Sequence, residues 1–321
     1  ITVHKDKKKI GQFPVHQIGE LVCMGFGIGV SPQLVEFCAQ EKITVSYLDG
    51  RGKFLARLQG PVQGNVLLRR AQYRDADNSE RTLMLAKCCV AAKIQNQRTV
   101  LLRHLRNHPD GEGESDIRTA LAAMENSLNS ARNCSDLGVL RGIEGAAAEE
   151  YFAVFDYMVL VPGPDFRFHN RSRRPPMDRI NALLSYAYSI LALDMRSALE
   201  AVGLDPYVGY LHAERPGRPS LALDLMEEFR APIADRLVLS LVNMRQVAAS
   251  GFKIKPSGEV EMDDETRKAL LAAWQKRKRE EIYHPFFEEN METGIVYISQ
   301  ARLLARYFRG ELDFYPAFIW R

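Results

Sequence analysis

The spacing of apolar residues changes once along this chain, near residue 60, and that change limits the folds open to it. Up to that point the apolar runs are short and strand-like, and from Asn65 onward apolar residues recur at helical spacing almost to the end. Gly60, Pro61 and Gly64 punctuate the boundary. The sequence therefore predicts an α+β protein with a small β-rich, sandwich-like domain at residues 1–64 and a larger all-α domain at residues 65–321.

Local signals refine this division. Ser31 and Pro32 are a cap and first-turn pair, so we expect one helix to interrupt the strands of the first domain. Lys7 to Lys9 has the character of a hairpin turn. The expected strands are residues 20–24, 43–48 and 53–58. The expected breaks between helices of the second domain are residues 108–113, 161–176, 214–219 and 256–261.

Composition narrows the class of protein. A net charge of +3 excludes a globally basic nucleic-acid coat, so any preference for nucleic acid must be local. The five cysteines include no Cys-x-x-Cys pair and are expected to be reduced thiols. Without a spanning apolar run or a signal-peptide core, a cytoplasmic location is expected. The chain begins without Met in a strand-like segment, so we expect further residues to precede Ile1.

The decapeptide LALDLMEEFR, residues 221–230, is apolar nearly all round and predicts a buried helix. Asp224 stands three and four residues before Glu227 and Glu228, which places the three carboxylates on one side of that helix. Buried anions require a cation or hydrogen-bond donors. A metal ion meets this need, and so do structural salt bridges to Arg215, Arg230 or Arg236; the spacing alone leaves both interpretations open.

Two further residues are candidate metal ligands. His212 ends the segment VGYLH, just before the loop that leads into this helix, although a lone histidine is more often structural. Glu144 stands between Gly142 and Gly145 in RGIEG, where glycine permits close approach of a phosphate; the alternative is a surface glutamate in the first turn of a helix. Carboxylates and imidazole without cysteine suit Mg²⁺ or Mn²⁺ on phosphate oxygens, which favours phosphodiester chemistry.

The segment FRFHNRSRRPPMDR, residues 166–179, interleaves arginines with aromatic residues and predicts a DNA-binding loop. Its candidate phosphate contacts are Arg167, Arg171, Arg173, Arg174 and Arg179. The alternative is a solvated loop whose charge only keeps it soluble. A second basic stretch, residues 276–279, is followed at once by Glu280 and Glu281 and is better explained as a mixed-charge helix face.

Several long fragments carry a resemblance. They are VSPQLVEFCAQEKITVSYLDGRGKFLARLQGPVQGNVLLRRAQYR, RGIEGAAAEEYF, RRPPMDRINALLSYAYSIL and GYLHAERPGRPSLALDLMEEFRAPIADRLVL. Together they resemble the CRISPR-associated integrase of the adaptation module, the Cas-one family, in its type I-C variant. The resemblance implies a homodimer formed through the β domains and a helical domain holding the metal. Two such dimers would bridge a dimer of a small second adaptation protein, as a heterohexamer that grips a short DNA duplex with splayed ends.

The same resemblance implies the ligands and the reaction. Glu144, His212 and Glu227 match the family's catalytic metal ligands, and Asp224 matches a neighbouring supporting acid. The implied cofactor is Mg²⁺ or Mn²⁺, and the implied reaction is attack by the 3′-hydroxyl of a foreign DNA fragment on a CRISPR repeat, with water giving nuclease activity instead. One departure is an apparent loss of the first strand, which is expected to weaken the dimer without touching the chemistry.

Other interpretations stay open at this point. A scaffold of the same fold would bind DNA without catalysis, and a helical metalloprotein could act on small phosphoesters, although the long basic loop speaks against the latter. Tyr188 is either near the DNA end or packed within its helix.

Overall fold

The computed structural model describes residues 1–15, 18, 20–41, 43–49, 54–58, 60 and 65–321. The chain divides into two compact units, Ile1–Gly64 and Asn65–Arg321. The first contains strands and one helix, and the second is mostly helical. The predicted fold class, N-terminal strands followed by a larger helical region, is therefore confirmed.

The first unit is built on a three-stranded sheet. Its order is β3-β4-β5, with β3 parallel to β4 and β4 antiparallel to β5. Helix α1 makes the crossover between the two parallel strands, and Ser31 Oγ caps it by accepting a hydrogen bond from the amide of Leu34 at 3.3 Å. The elements are β1 (Thr2–Lys5), β2 (Lys8–Gln12), β3 (Glu20–Met24), α1 (Pro32–Gln40), β4 (Thr44–Leu48) and β5 (Phe54–Leu58).

These bounds confirm the predicted strands and the capped helix, except that residue 53 lies outside the described residues. The predicted hairpin near Lys7 is present as the β1–β2 pair, with positive φ at Asp6 and Lys7 in its turn. Its strands are exposed along nearly their whole length. The apolar core of this unit instead lies between the three-stranded sheet and α1, where Cys23, Cys38 and Val45 are buried.

The second unit is organised around α3, a helix of 29 residues that packs against α4 and α5. Most of the side chains that α3 buries are apolar, but Lys93, Asn96 and Gln97 are buried as well. Its helices are α2 (Val66–Asp77), α3 (Ser79–Asn107), α4 (Glu114–Asn133), α5 (Leu137–Ala153), α6 (Arg179–Ala201), α7 (Ser220–Met226), α8 (Arg236–Asn243), α9 (Asp264–Arg279) and α10 (Thr293–Phe308). The predicted breaks at residues 108–113, 161–176 and 214–219 separate these helices as expected.

The expectation of an all-α second unit was too strict. It also contains two hairpins, formed by β6 (Phe252–Ile254) with β7 (Val260–Met262) and by β8 (Glu281–His284) with β9 (Glu289–Glu292). Each strand has only three or four residues, too few for a period of two to be distinguished from a helix end. No helix in the described part of the chain is both long enough and apolar enough to cross a lipid bilayer.

Candidate metal centre

His212 is fixed in position by Asp224. The Nδ1 atom of its ring lies 2.7 Å from Oδ1 of Asp224, and the backbone amide of His212 donates to the same oxygen at 2.9 Å. The other oxygen, Oδ2, accepts from the amides of Tyr210 and Leu211 at 2.6 and 3.0 Å. One buried carboxylate on α7 therefore holds three successive amides and one imidazole, and leaves Nε2 of His212 directed away from it.

That free ring nitrogen faces Glu227, the residue directly after α7. The distance from His212 Nε2 to Glu227 Oε1 is 3.8 Å, and the Glu227 side chain is only 2% exposed. Glu227 Oε2 lies 2.8 Å from the ammonium of Lys93. Glu144, in the middle of α5 with its side chain 25% exposed, contacts the same ammonium. The three predicted ligands therefore belong to one cluster, in which Lys93 lies between the two glutamates and links them.

The surrounding charges keep Glu227 ionised. Burial by itself raises the pKa of this carboxyl, but Arg230 first, then Lys93 and His212, more than offset that effect and lower it to about 2. Arg230 lies 2.9 Å from Glu227 Oε1, so the salt-bridge alternative is realised for this one arginine. Its guanidinium also lies 4.8 Å from the centre of the Tyr188 ring. The Tyr188 hydroxyl donates to Asp235 at 2.6 Å, so Tyr188 is packed within the fold.

Glu228 does not join the cluster, although the helical spacing predicted that it would. Helix α7 ends at Met226, and Glu228 lies in the turn between it and a π-helix, Arg230–Asp235, so the helical repeat of α7 does not extend to Glu228. Glu228 instead accepts hydrogen bonds from Tyr315, Gln300 and the amide of Phe318. It is a buried structural acceptor.

The donor set fits a hard divalent cation. Two carboxylates and an imidazole are available, and the imidazole is oriented by a third carboxylate, that of Asp224, as metal-binding histidines usually are. Apart from the Lys93 ammonium, Glu227 Oε2 has no polar partner among the described residues. No three His, Cys, Asp or Glu side chains in that part of the chain converge in a metal-holding arrangement as they stand. At this site Lys93 fills the space between Glu144 and Glu227.

The basic loop predicted to bind DNA is partly occupied by contacts within the protein. Arg167 pairs with Asp156 at 2.9 Å, and Arg179 pairs with Asp165 at 3.6 Å. Arg171 is half-buried, and donates to Asn181 and Ser185. Arg173 and Arg174 are exposed, and within the described residues neither has an ion-pair partner.

Sequence reasoning named Arg174 as a candidate phosphate contact but missed the group of arginines beside His212 to which it belongs. Burial first, then the charges of Arg215, Arg141 and Arg174, lower the pKa of Arg218, so those three guanidinium groups lie within electrostatic reach of Arg218. Arg141 Nε donates to the carbonyl of Leu211 at 2.6 Å, next to His212 in the chain. They come from α5, from the loop before α6 and from the loop before α7, so no single stretch of sequence revealed them. We call Arg141, Arg174, Arg215 and Arg218 the basic rim.

Comparison with known proteins identifies the family. The family model described as CRISPR associated protein Cas1 matches residues 1–276. CRISPR-associated endonuclease Cas1 1 of Chlorobaculum tepidum is 48% identical over 321 residues, spanning 100% of this chain and 93% of the relative. CRISPR-associated endonuclease Cas1 2 of Rhodospirillum rubrum is 49% identical over 326 residues, with the same two coverages.

The chain belongs to the Cas1 family. Solved structures with the same fold include a CAS1 protein from Thermotoga maritima, with a TM-score of 0.80, 24% identity, and 96% of this chain and 91% of that one covered. A casposase bound to integration product has a TM-score of 0.80 and 24% identity over 93% of this chain and 82% of that one. The predicted family and the predicted class of enzyme, a CRISPR-associated nuclease, are confirmed. The type I-C variant stays a prediction.

Proposed function

We propose that Glu144, His212 and Glu227 form the metal centre of this CRISPR-associated nuclease and integrase, with Asp224 as the supporting carboxylate and Mg²⁺ or Mn²⁺ as the ion. The observation that carries the proposal is the convergence of Glu144 and Glu227 on a single cation, beside an imidazole whose ring nitrogen is turned toward Glu227. Oxygen-rich sites of this kind suit ions that bind phosphate.

The reaction is phosphodiester transesterification in spacer acquisition. A 3′-hydroxyl of a captured DNA fragment attacks a phosphodiester at the CRISPR repeat. The new P–O bond replaces the bond to the neighbouring repeat nucleotide, whose 3′-oxygen leaves and takes up a proton; water in place of the 3′-hydroxyl gives hydrolysis. An ion held by Glu144, His212 and Glu227 would polarise the scissile phosphate and stabilise the charge that develops in the transition state. Asp224 holds the imidazole of His212 in one orientation, and Arg230 keeps Glu227 ionised, so the ligand set is fixed before substrate binds.

The basic rim is proposed as the main phosphate-binding surface near the centre, together with exposed Arg173. Guanidinium groups bind phosphate oxygens in pairs, and their clustering beside His212 directs a DNA backbone toward the metal site. Of the five arginines predicted to bind DNA, Arg173 and Arg174 are free to do so, whereas Arg167, Arg171 and Arg179 stabilise their own loop.

Gly142 and Gly145 support an approach of DNA at Glu144. Both lie inside α5, where glycine is less favourable than alanine by up to about 1 kcal/mol. A Cβ atom built on either glycine meets nothing within 4 Å, so packing against the described residues does not require them. Their absent side chains leave room for a substrate backbone beside the Glu144 carboxylate.

The proposed partners are DNA, a second copy of this chain and the second adaptation protein. The chain aligns with solved Cas6-RT-Cas1–Cas2 assemblies, one at a TM-score of 0.81, 22% identity and 100% coverage of this chain, 34% of that one. We propose that residues 1–64 form the homodimer and that two dimers bridge a dimer of the second protein as a heterohexamer. A cytoplasmic location follows from this role.

The experiment that tests the metal centre is a strand-transfer and cleavage assay on branched DNA with Mn²⁺, comparing wild type with His212→Ala after both are shown to be folded. Loss of both activities in the variant alone is the expected result. Equal activity in the two proteins would indicate that the catalytic site lies elsewhere in the protein. DNA binding without activity in either would favour the alternative function, a non-catalytic scaffold of the same fold.

A further inference from the structure

Lys93 is the one buried lysine among the residues that the structure describes. It lies on α3, and its residue is only 4% exposed. Lysine is rarely buried without a partner, because removing an ammonium from water costs several kcal/mol. Its position therefore requires an electrostatic reason.

The reason is the pair of glutamates. The Lys93 ammonium lies 2.8 Å from Oε2 of Glu227 and also contacts Oε1 of Glu144. These carboxylates come from the end of α7 and from the middle of α5, and without a cation between them they would repel each other inside the fold. The ammonium occupies the space that a metal bound by both carboxylates would need.

The two cations of the cluster differ in how they are held. Arg230 is fixed by its pairing with Glu227 and by the Tyr188 ring beneath its guanidinium. Lys93 has only the two carboxylates as polar partners in the described residues, and its ammonium stands at the end of a flexible four-carbon stem. Of the two cationic side chains, Lys93 is therefore the one that a metal ion can displace from the carboxylates.

The charges of the cluster show what such an exchange would do. The cluster contains three carboxylates, those of Asp224, Glu144 and Glu227, and two cationic side chains, Lys93 and Arg230. Its net charge is therefore −1 when His212 is neutral. A bound divalent ion would change the net charge of the cluster to +1, which favours binding of an anionic phosphodiester. Without Lys93 the loaded cluster would be neutral, so it would hold the ion more tightly and the phosphate less tightly.

We propose that Lys93 is the resident counter-ion of the metal centre: its ammonium neutralises Glu144 and Glu227 in the metal-free protein and competes with the metal ion for their oxygens. The inference rests on the proposed function of these residues. When the ion binds, the tethered ammonium is released from the carboxylates and adds its charge to the binding of the substrate phosphodiester. Lys93 is thus a positioning residue with opposite effects on metal and on DNA.

The test compares wild type, Lys93→Met, Lys93→Arg and His212→Ala in two measurements. The first is Mn²⁺ affinity without DNA, by calorimetry, and the second is the affinity for a branched DNA duplex with saturating Mn²⁺. Lys93→Met should bind Mn²⁺ at least about fivefold more tightly, the low end of ordinary coupling between sites, and should bind DNA more weakly. Lys93→Arg keeps the charge and should show no gain in Mn²⁺ affinity. A merely structural role for Lys93 predicts that the methionine variant loses both affinities, and that result would overturn the proposal.

The controls separate this proposal from the function on which it rests. If His212→Ala loses Mn²⁺ binding while Lys93→Met binds Mn²⁺ no more tightly than wild type, the counter-ion role is wrong and the metal centre stands. If His212→Ala binds Mn²⁺ as wild type does, the metal centre itself is wrong. Should Lys93→Met unfold in EDTA, refolding on addition of Mn²⁺ supports the proposal, because the metal then replaces the ammonium. Unfolding that Mn²⁺ does not reverse contradicts it.

Discussion

The imidazole of His212 and the carboxylate of Asp224 are joined at 2.7 Å, and that carboxylate is also the acceptor for the amides of residues 210–212. The carboxylate that orients the ring thus also shapes the backbone that carries it. Because Asp224 is 1% exposed, its hydrogen bonds cannot be replaced by water when they are lost. The position of the proposed ligand His212 depends on this one side chain.

We expect Asp224→Asn to lower the affinity for metal while the protein still folds. In asparagine an NH₂ group replaces one of the two carboxylate oxygens and cannot accept a hydrogen bond. Either the amide and ring of His212 or the amides of Tyr210 and Leu211 then lose their acceptor, and both losses disturb the segment that positions the His212 ring. Changes of this kind in the residues that support metal ligands lower metal affinity by about 10- to 100-fold. Mn²⁺ calorimetry checks this, with Asp313→Asn at an exposed position as the matched control. Unchanged affinity in Asp224→Asn would show that His212 is positioned by other contacts.

Two glycines give opposite expectations for stability. A Cβ on Gly209 would lie 2.4 Å from the Cβ of Ser220 and 2.6 Å from the carbonyl oxygen of His212. Gly209→Ala should therefore lower the free energy of unfolding by about 1 to 3 kcal/mol and displace the His212 segment from α7. A Cβ on Gly142 would meet no atom within 4 Å. Gly142→Ala should therefore raise the free energy of unfolding by up to about 1 kcal/mol while weakening DNA binding. Thermal unfolding and DNA affinity of the two variants test both expectations, and a stabilised Gly209→Ala would contradict the first.

Asp235 should make stability depend on pH. Burial raises the pKa of this carboxyl from 3.8 to about 6, although hydrogen bonds from Tyr188 and Tyr151 act in the opposite direction. Because the folded-state pKa is raised, its contribution to stability is fully present below about pH 4 and is lost as the pH rises through 6. Asp235→Asn removes that titration, so it should gain stability relative to wild type by at most about 3 kcal/mol between pH 4 and pH 7.5. Paired denaturation curves at the two pH values check this; a difference that stays constant would rule it out.

The basic rim should determine how DNA binding depends on salt. Arg174→Ala and Arg215→Ala each remove a guanidinium with no ion-pair partner in the described chain, and each should reduce the slope of log affinity against log salt by about 0.7 to 0.9. Arg167→Ala is the matched control, since Arg167 already pairs with Asp156. Fluorescence anisotropy at several salt concentrations measures the slopes. An effect of Arg167→Ala on the slope as large as that of Arg215→Ala would indicate that the loop of residues 166–179 is the main DNA contact instead.

Much of the fold followed from local signals in the sequence. Ser31 caps α1 through its own hydroxyl, and the change in apolar spacing after Asn65 reflects the periods of strand and helix. Glu144, His212 and Glu227 were named through a family resemblance; in the structure both glutamates contact Lys93, and His212 lies beside Glu227. The predicted alignment of Glu228 with the other carboxylates was wrong, because α7 ends at Met226 and Glu228 lies in the turn that follows it.

Lys93 was missed because its partners lie far along the chain. It precedes Glu144 by 51 positions, and only the packing of α3 against α5 joins them. One signal was available: a lysine within the segment CCVAAKIQ, whose neighbours predict a buried helical face. Arg174 was predicted to contact DNA, but its grouping with Arg141, Arg215 and Arg218 left no signal in the sequence, because these arginines come from three separate segments.

The most direct test of the proposed centre compares two glutamates on one helix. Glu144 contacts Lys93 beside Glu227, whereas Glu149 is exposed on α5 and takes no part in the cluster. Strand transfer on branched DNA with Mn²⁺ should be lost in Glu144→Gln and retained in Glu149→Gln, with both variants folded. Strand transfer by Glu144→Gln at the wild-type rate would contradict the account.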